Sequence, residues 1–320
     1  MDRRRGLRRP SLRSLARHLA LDVLSWSQRW QSDRWRTVPR VQLLTMHHLF
    51  ADEADAFRRL LGQLQSRFEV IGYPEAITRI VECRIDKPYL AISFDDGMKC
   101  CLRAAEILSE FSISGCFFIS PAMIGESNRA VVERFCRERL DLPPVEFMTW
   151  EDVQRLCQAG HEIGGHTMSH CNLAELSRIQ AQQEICESFD VLAAQLGSVK
   201  HFSWPYGQPR HITSDLVEAV FETGYVSCAS AQRGCHRNTG SIAPRNACVF
   251  RDNIEANWPI RHVDYFLRRN CRGDLLAWPR PWIAEEFEDR RAIAAVRPQH
   301  SADGGGRTRW MPHRFDLPSR

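Results

Sequence analysis

The chain has 320 residues, 43% of them hydrophobic, with a formal net charge of +4. That length and apolar content bury a large core, which excludes a disordered chain and suits one barrel-sized α/β domain or two smaller ones. Charge is uneven: residues 1–36 hold ten Arg, no Lys and three Asp, a balance of +7 that leaves the rest near −3 and excludes a basic nucleic-acid-binding body.

Twelve Cys occur without a C-x-x-C pair, the usage of reduced and mostly buried thiols in a cytosolic protein rather than of a disulfide framework. Leu12, Leu15, Leu19, Val23, Trp26 and Trp30 recur at three- and four-residue steps, which predicts an amphipathic helix over residues 11–31. Such a stripe suits two settings, packing against the outside of the main domain or a peripheral contact with an anionic membrane. Arg17, His18 and Asp22 interrupt the run from Leu15 to Leu24, and no stretch approaches the ~20 apolar residues of a membrane span. The expectation is therefore a cytoplasmic chain with no transmembrane segment.

From Val41 the pattern alternates. Strands are predicted at Val41–Met46, Val70–Ile71, Tyr89–Phe94, Gly115–Ser120, His161–Ile163, Phe202–Trp204, Tyr225–Ala229 and Ser241–Ala243. Helices are predicted near Ala54–Phe68, Tyr73–Cys83, Met98–Phe111, Trp150–Ala159, Leu173–Leu196 and Thr213–Thr223. Strands alternating with helices imply a mostly parallel sheet covered by helices, here an α/β fold closing as a distorted (β/α) barrel of about seven strands. Residues 1–40 read as an Arg-rich amphipathic extension, 41–270 as the barrel, and 271–320, with Gly304-Gly305-Gly306, as a partly disordered C-terminal extension.

Three segments carry chemistry, and each falls at a strand's carboxyl end, where barrels gather their active sites. Ser93-Phe94-Asp95-Asp96-Gly97 closes an apolar strand with two adjacent carboxylates, at least one of which must face a cleft because a buried unpaired charge is too costly. His166-Thr167-Met168-Ser169-His170 sets two imidazoles four residues apart, the spacing that brings both to one side of a helical turn and to one divalent cation. Phe202-Ser203-Trp204-Pro205-Tyr206-Gly207 follows in order. Taken singly, Asp-Asp-Gly also suits a turn and the histidines also suit satisfied loop residues. Gly97 is expected to permit a tight turn, and Gly164-Gly165 to give the histidine loop similar freedom.

Together the three segments resemble the T-F-D-D-G, H-[ST]-x-x-H and R-x-P-Y-G motifs of the polysaccharide deacetylases of carbohydrate esterase family 4, over residues from about 41 to 250. The resemblance implies Asp96, His166 and His170 as ligands of one divalent metal, most simply zinc, with cobalt, nickel or iron as alternatives. It implies Asp95 as general base and the Tyr206 backbone N–H as oxyanion donor. Trp204, Pro205 and Tyr206 would then form a substrate groove wall, and an N-acetylated carbohydrate would be the substrate. One position departs from the pattern: the motif's Arg, which orients the base, is Ser203, and Arg245 in Ala243-Pro244-Arg245 is the expected replacement. Leu43-Leu44-Thr45-Met46-His47-His48 resembles the opening strand of the circularly permuted branch, which makes His47 the general acid. The expected reaction is carbohydrate N-deacetylation. Sugar O-deacetylation or deformylation by the same site, or a catalytically inactive glycan-binding barrel, are the alternatives.

Overall fold

The computed structural model describes residues 12–28, 33–238 and 248–271. Its nine strands form one parallel sheet: β1 (Arg40–Met46), β2 (Glu69–Val70), β3 (Pro88–Phe94), β4 (Cys116–Ile119), β5 (Glu162–Gly165), β6 (His201–Ser203), β7 (Ser227–Ala229), β8 (Cys248–Val249) and β9 (Asp252–Asn253). Their order is β8-β7-β6-β5-β4-β3-β1-β9, with β2 beside β3. β8 and β9 are separated only by Phe250-Arg251, yet β8 pairs with β7 and β9 pairs with β1. One short stretch of chain thus joins both ends of the sheet, which curls into a distorted barrel.

Strand alternation builds the interior in layers, because every second side chain points inward. β1 and β3 run in register, Val41 opposite Tyr89, Leu43 opposite Ala91 and Thr45 opposite Ser93. The lower layers are apolar, joined by Phe118, Ala229 and Val249 and closed by Tyr73, Ala76, Ile77 and Ile80 of helix α3 (Tyr73–Val81). Above them come Thr45 and Ser93, and the next inward positions are His47 and Asp95. The gradient from aliphatic to polar along β1 and β3 places their polar ends at the carboxyl end of the sheet.

The outer face of β3 supplies Leu90, Ile92 and Phe94, all buried, on the side opposite the inward set. Helices α2 (Ala54–Gln65), α4 (Leu102–Glu110), α6 (Trp150–Gln158), α7 (Arg178–Leu196) and α8 (Ser214–Thr223) follow the expected alternation closely. Capping boxes at Thr149/Asp152 and Ser177/Gln180 fix the starts of α6 and α7. α1 (Leu12–Gln28) packs on α9 (Ile260–Cys271).

Four elements go beyond the predicted pattern. β8 and β9 have two residues each, too few to show a period. α5 (Arg129–Phe135) has no buried residue and so no apolar stripe, and it runs on into a π-helical turn, Cys136–Leu140. α9 buries His262, Arg268 and Asn270 among its apolar residues, which masks its stripe. The expected strand Ser241–Ala243 and the extension after Cys271 lie outside the described residues. No described helix is long and apolar enough to cross a membrane.

Candidate active site

Asp95 and Asp96 are adjacent in sequence but serve different partners, because the backbone turns between them. Asp95 continues the inward alternation of β3 and its N–H donates to Met46 O at 3.0 Å. Asp96 (φ 75°) and Gly97 (φ 73°) then take left-handed conformations. A non-glycine residue in that region costs on the order of 1–3 kcal/mol and persists where surrounding structure fixes it. Thr167 (φ 59°), His170 (φ 55°) and Tyr206 (φ 61°) share the feature, so four of the seven described non-glycine residues with positive φ lie on the three motif segments, the others being Cys83, Ser112 and Asp141.

The segment from His166 to His170 is a turn with two left-handed residues rather than the expected helical turn. It is pinned from behind: the Ser120 hydroxyl donates to His166 O at 2.8 Å, while Ser169 N–H and Oγ donate to Glu184 of α7 at 2.8 and 2.6 Å. The role of Gly164-Gly165 also differs from expectation, since neither has a left-handed φ. Both lie in β5 where no side chain fits. A Cβ at Gly164 would stand 2.4 Å from the Phe118 ring, and one at Gly165 2.2 Å from the Tyr225 hydroxyl.

Asp96 Oδ1 lies 3.4 Å from His166 Nε2 and 3.2 Å from His170 Nε2, and all three side chains are buried. Two ligand atoms at tetrahedral positions around an ion with bonds of 2.0–2.1 Å stand about 3.3 Å apart, so this spacing suits ligands that share one ion. The protonation pattern agrees. His166 Nδ1 sits 2.8 Å from Ser203 O, and a carbonyl only accepts, so the ring proton is on Nδ1 and Nε2 directs its lone pair at Asp96. Burial pushes the His170 imidazole down, against the pull of Asp96, which favours its neutral form as well. Asp96 Oδ1 has no hydrogen-bond donor. The carboxylate oxygen and the two imidazoles, all buried and with ligand atoms within 4.8 Å of one another, could hold a divalent cation.

Asp95 is held by a second buried constellation. Arg251, between β8 and β9 and 1% exposed, donates to both its oxygens at 2.8 Å in a bidentate pair. The same guanidinium donates to Ser203 Oγ at 2.7 Å and to Thr45 Oγ1 and Ser93 Oγ at 3.2 Å, and lies 5.3 Å above the Phe118 ring. Burial alone would push the Asp95 carboxyl up; the charges of Arg251 and His166 and the Arg251 hydrogen bonds outweigh it and keep the group below its ordinary value.

Arg245 lies outside the described residues, and the guanidinium that reaches Asp95 is Arg251. It donates to Ser203 Oγ, at the position where the motif has Arg, as well as to Asp95. The signal was available in Cys248-Val249-Phe250-Arg251, an apolar pair followed by a second Arg as close to a late strand end as Arg245.

His47 lines the same cavity of about 360 Å³ as Asp95, Asp96, His166 and His170. Tyr206, 40% exposed, lines it too, with its hydroxyl donating to Arg139 O at 3.1 Å. Trp204 contributes to the wall but is 2% exposed and packs edge-on against Phe202 at 5.0 Å, a core position rather than an open stacking platform. Pro205 is buried and shapes the turn instead of lining the cavity. Arg139 of the π-helical turn and Arg233 after β7 also line it, and sequence reasoning found neither.

Comparison with known proteins places this geometry. A family model for polysaccharide deacetylase matches residues 84–227. A curated chitooligosaccharide deacetylase of Sinorhizobium fredii is 24% identical over 124 residues, 38% of this chain and 47% of that protein, so the match spans about half the length of that relative. Among solved structures, the Streptococcus pyogenes deacetylase PplD in complex with acetate aligns at a TM-score of 0.57 with 15% identity, covering 72% of this chain and 99% of that one. IcaB from Ammonifex degensii aligns at 0.56 with 17% identity over 72% and 98%. A de-N-acetylase from Aggregatibacter actinomycetemcomitans aligns at 0.53 with 17% identity over 71% and 99%. At these identities the structures share the fold.

Proposed function

We propose, from the match of residues 84–227 to the polysaccharide deacetylase family model, that the chain is a metal-dependent hydrolase that removes the acetyl group from an N-acetylated sugar or polysaccharide. One observation supports this reading most: a convergent Asp96-His166-His170 ligand set shares its cavity with a carboxylate, Asp95, that Arg251 keeps ionised.

Asp96 Oδ1, His166 Nε2 and His170 Nε2 would hold the ion, and the two-nitrogen, one-oxygen set suits zinc, with cobalt, nickel or iron as alternatives. When bound there, a divalent ion supplies Lewis acidity and makes water nucleophilic at neutral pH. Asp95 takes the proton of the attacking water. Arg251 and Ser203 orient that carboxylate, and Ser203 couples the two halves of the site, since its carbonyl also fixes the His166 tautomer. The Tyr206 backbone N–H serves the developing oxyanion. His47 donates a proton to the departing amine. This role for His47 uses the position of β1 between β3 and β9, and on this reading β1 would stand for the final strand of the unpermuted order.

His47→Ala tests this assignment together with the reaction. Wild-type protein should release acetate and free amine in equal amounts from N-acetylated oligosaccharides. The variant should lose about 10²- to 10⁴-fold in turnover on the amide and much less on an activated aryl acetate, whose leaving group needs no proton. Metal content should not change. An equal loss on both substrates would move the acid elsewhere, and acetate without amine would mean an ester substrate.

A further inference from the structure

α1 is docked by its polar side. Arg261 Nε donates to Asp22 Oδ1 at 2.7 Å, with His262 Nε2 also at 2.7 Å from that oxygen. Ser25 Oγ donates to Arg261 O at 3.1 Å, Arg17 pairs with Glu255 at 2.7 Å, and Leu21 is 5% exposed. Three members of the stripe seen in the sequence face outward: Leu19 is 66% exposed, Val23 67% and Trp26 59%, at positions four and three residues apart that fall on one face. Helix stripes on globular domains normally face a core, and exposed contiguous apolar surface marks an interaction site.

Charge selects the occupant. Residues 1–36 carry ten Arg against three Asp, and Arg3, Arg4, Arg5, Arg8 and Arg9 precede the helix directly. A second copy would bring a balance of +7 against +7, whereas a lipid surface of opposite sign complements both the stripe and its flank. We propose that α1 attaches the protein to an anionic bilayer, with Leu19, Val23 and Trp26 entering the headgroup boundary and the N-terminal arginines meeting lipid phosphates. Two weak signals, apolar insertion and a polybasic flank, together give stable but reversible attachment.

The test is sedimentation of the full chain with vesicles of phosphatidylcholine alone or mixed with phosphatidylglycerol, at low and high salt, alongside light scattering of the free protein. Wild type should bind the mixed vesicles, bind phosphatidylcholine weakly, and be released by salt. Leu19→Ser/Val23→Ser/Trp26→Ser should weaken partitioning about tenfold or more, since each lost 1.4 kcal/mol is a factor of ten. Leu19→Ser/Val23→Ser alone, at two positions away from Asp22, Ser25 and Arg17, should weaken binding in the same direction with a melting temperature close to wild type. Replacing Arg3, Arg4, Arg5, Arg8 and Arg9 by Gln should remove most of the salt dependence without touching the helix. Binding that ignores lipid charge, a triple variant that binds like wild type, or a wild-type dimer that the triple variant makes monomeric would overturn the proposal, the last by showing that a second copy covers the face.

Discussion

Arg251→Ala is expected to reduce deacetylation by about 10²- to 10⁴-fold, as loss of an oriented general base does, and to destabilise the fold by about 3–5 kcal/mol, the usual consequence of leaving one partner of a buried pair alone. The sign of its pH effect follows from the same contact. Arg251 and His166 depress the Asp95 carboxyl, so the pair contributes stability that is present above the unfolded value and lost as pH falls through the folded one. Without Arg251, burial dominates and Asp95 shifts upward; the acidic limb of the rate profile should then move to higher pH. Arg251→Lys keeps the charge but not the two-pronged geometry, and should fall between wild type and Arg251→Ala. Moving the guanidinium back to the motif position, Ser203→Arg with Arg251→Ser, should recover much of the activity. Wild-type turnover in Arg251→Ala would show that Asp95 needs no such support.

The two neighbouring aspartates should separate cleanly when each is replaced by Asn. Asp95→Asn keeps the shape of the pocket and its metal ligands, so metal content should stay at the wild-type level while turnover drops about 10²- to 10⁴-fold. Asp96→Asn weakens the one anionic ligand between two imidazoles, and should lose the metal and with it essentially all hydrolysis. Measuring bound metal and acetate release on the same preparations distinguishes the two. Metal lost from Asp95→Asn and kept by Asp96→Asn would exchange their roles.

Much of this arrangement was legible in the chain because period and punctuation carry it. Tyr89 to Phe94 is long enough to read as a strand, its final residues name the two carboxylates, and His166 and His170 fall at the next suitable strand end. The register of β1 against β3 then brings His47 to the level of Asp95. What the sequence hid were features with no period. Arg251 stands between two-residue strands, and its importance comes from a pairing 156 residues away in sequence. Gly164 and Gly165 looked like hinge residues but are small because Phe118 and Tyr225 occupy the space a side chain would need. The stripe on α1 was readable; the side of the helix that meets α9 was not, since it is set by polar contacts of Asp22 and Ser25.

Asp96, His166 and His170 are expected to bind one divalent ion on which hydrolysis depends. Titrating zinc or cobalt into chelator-stripped wild-type protein, while following acetate release from an N-acetylated oligosaccharide and metal bound per chain, addresses this directly. Activity should be absent in the stripped protein, rise in proportion to bound metal, and saturate at one ion per chain, with His166→Ala and His170→Ala taking up none at the same concentrations. Full activity in the stripped protein, or one ion per chain bound by both histidine variants, would contradict the account.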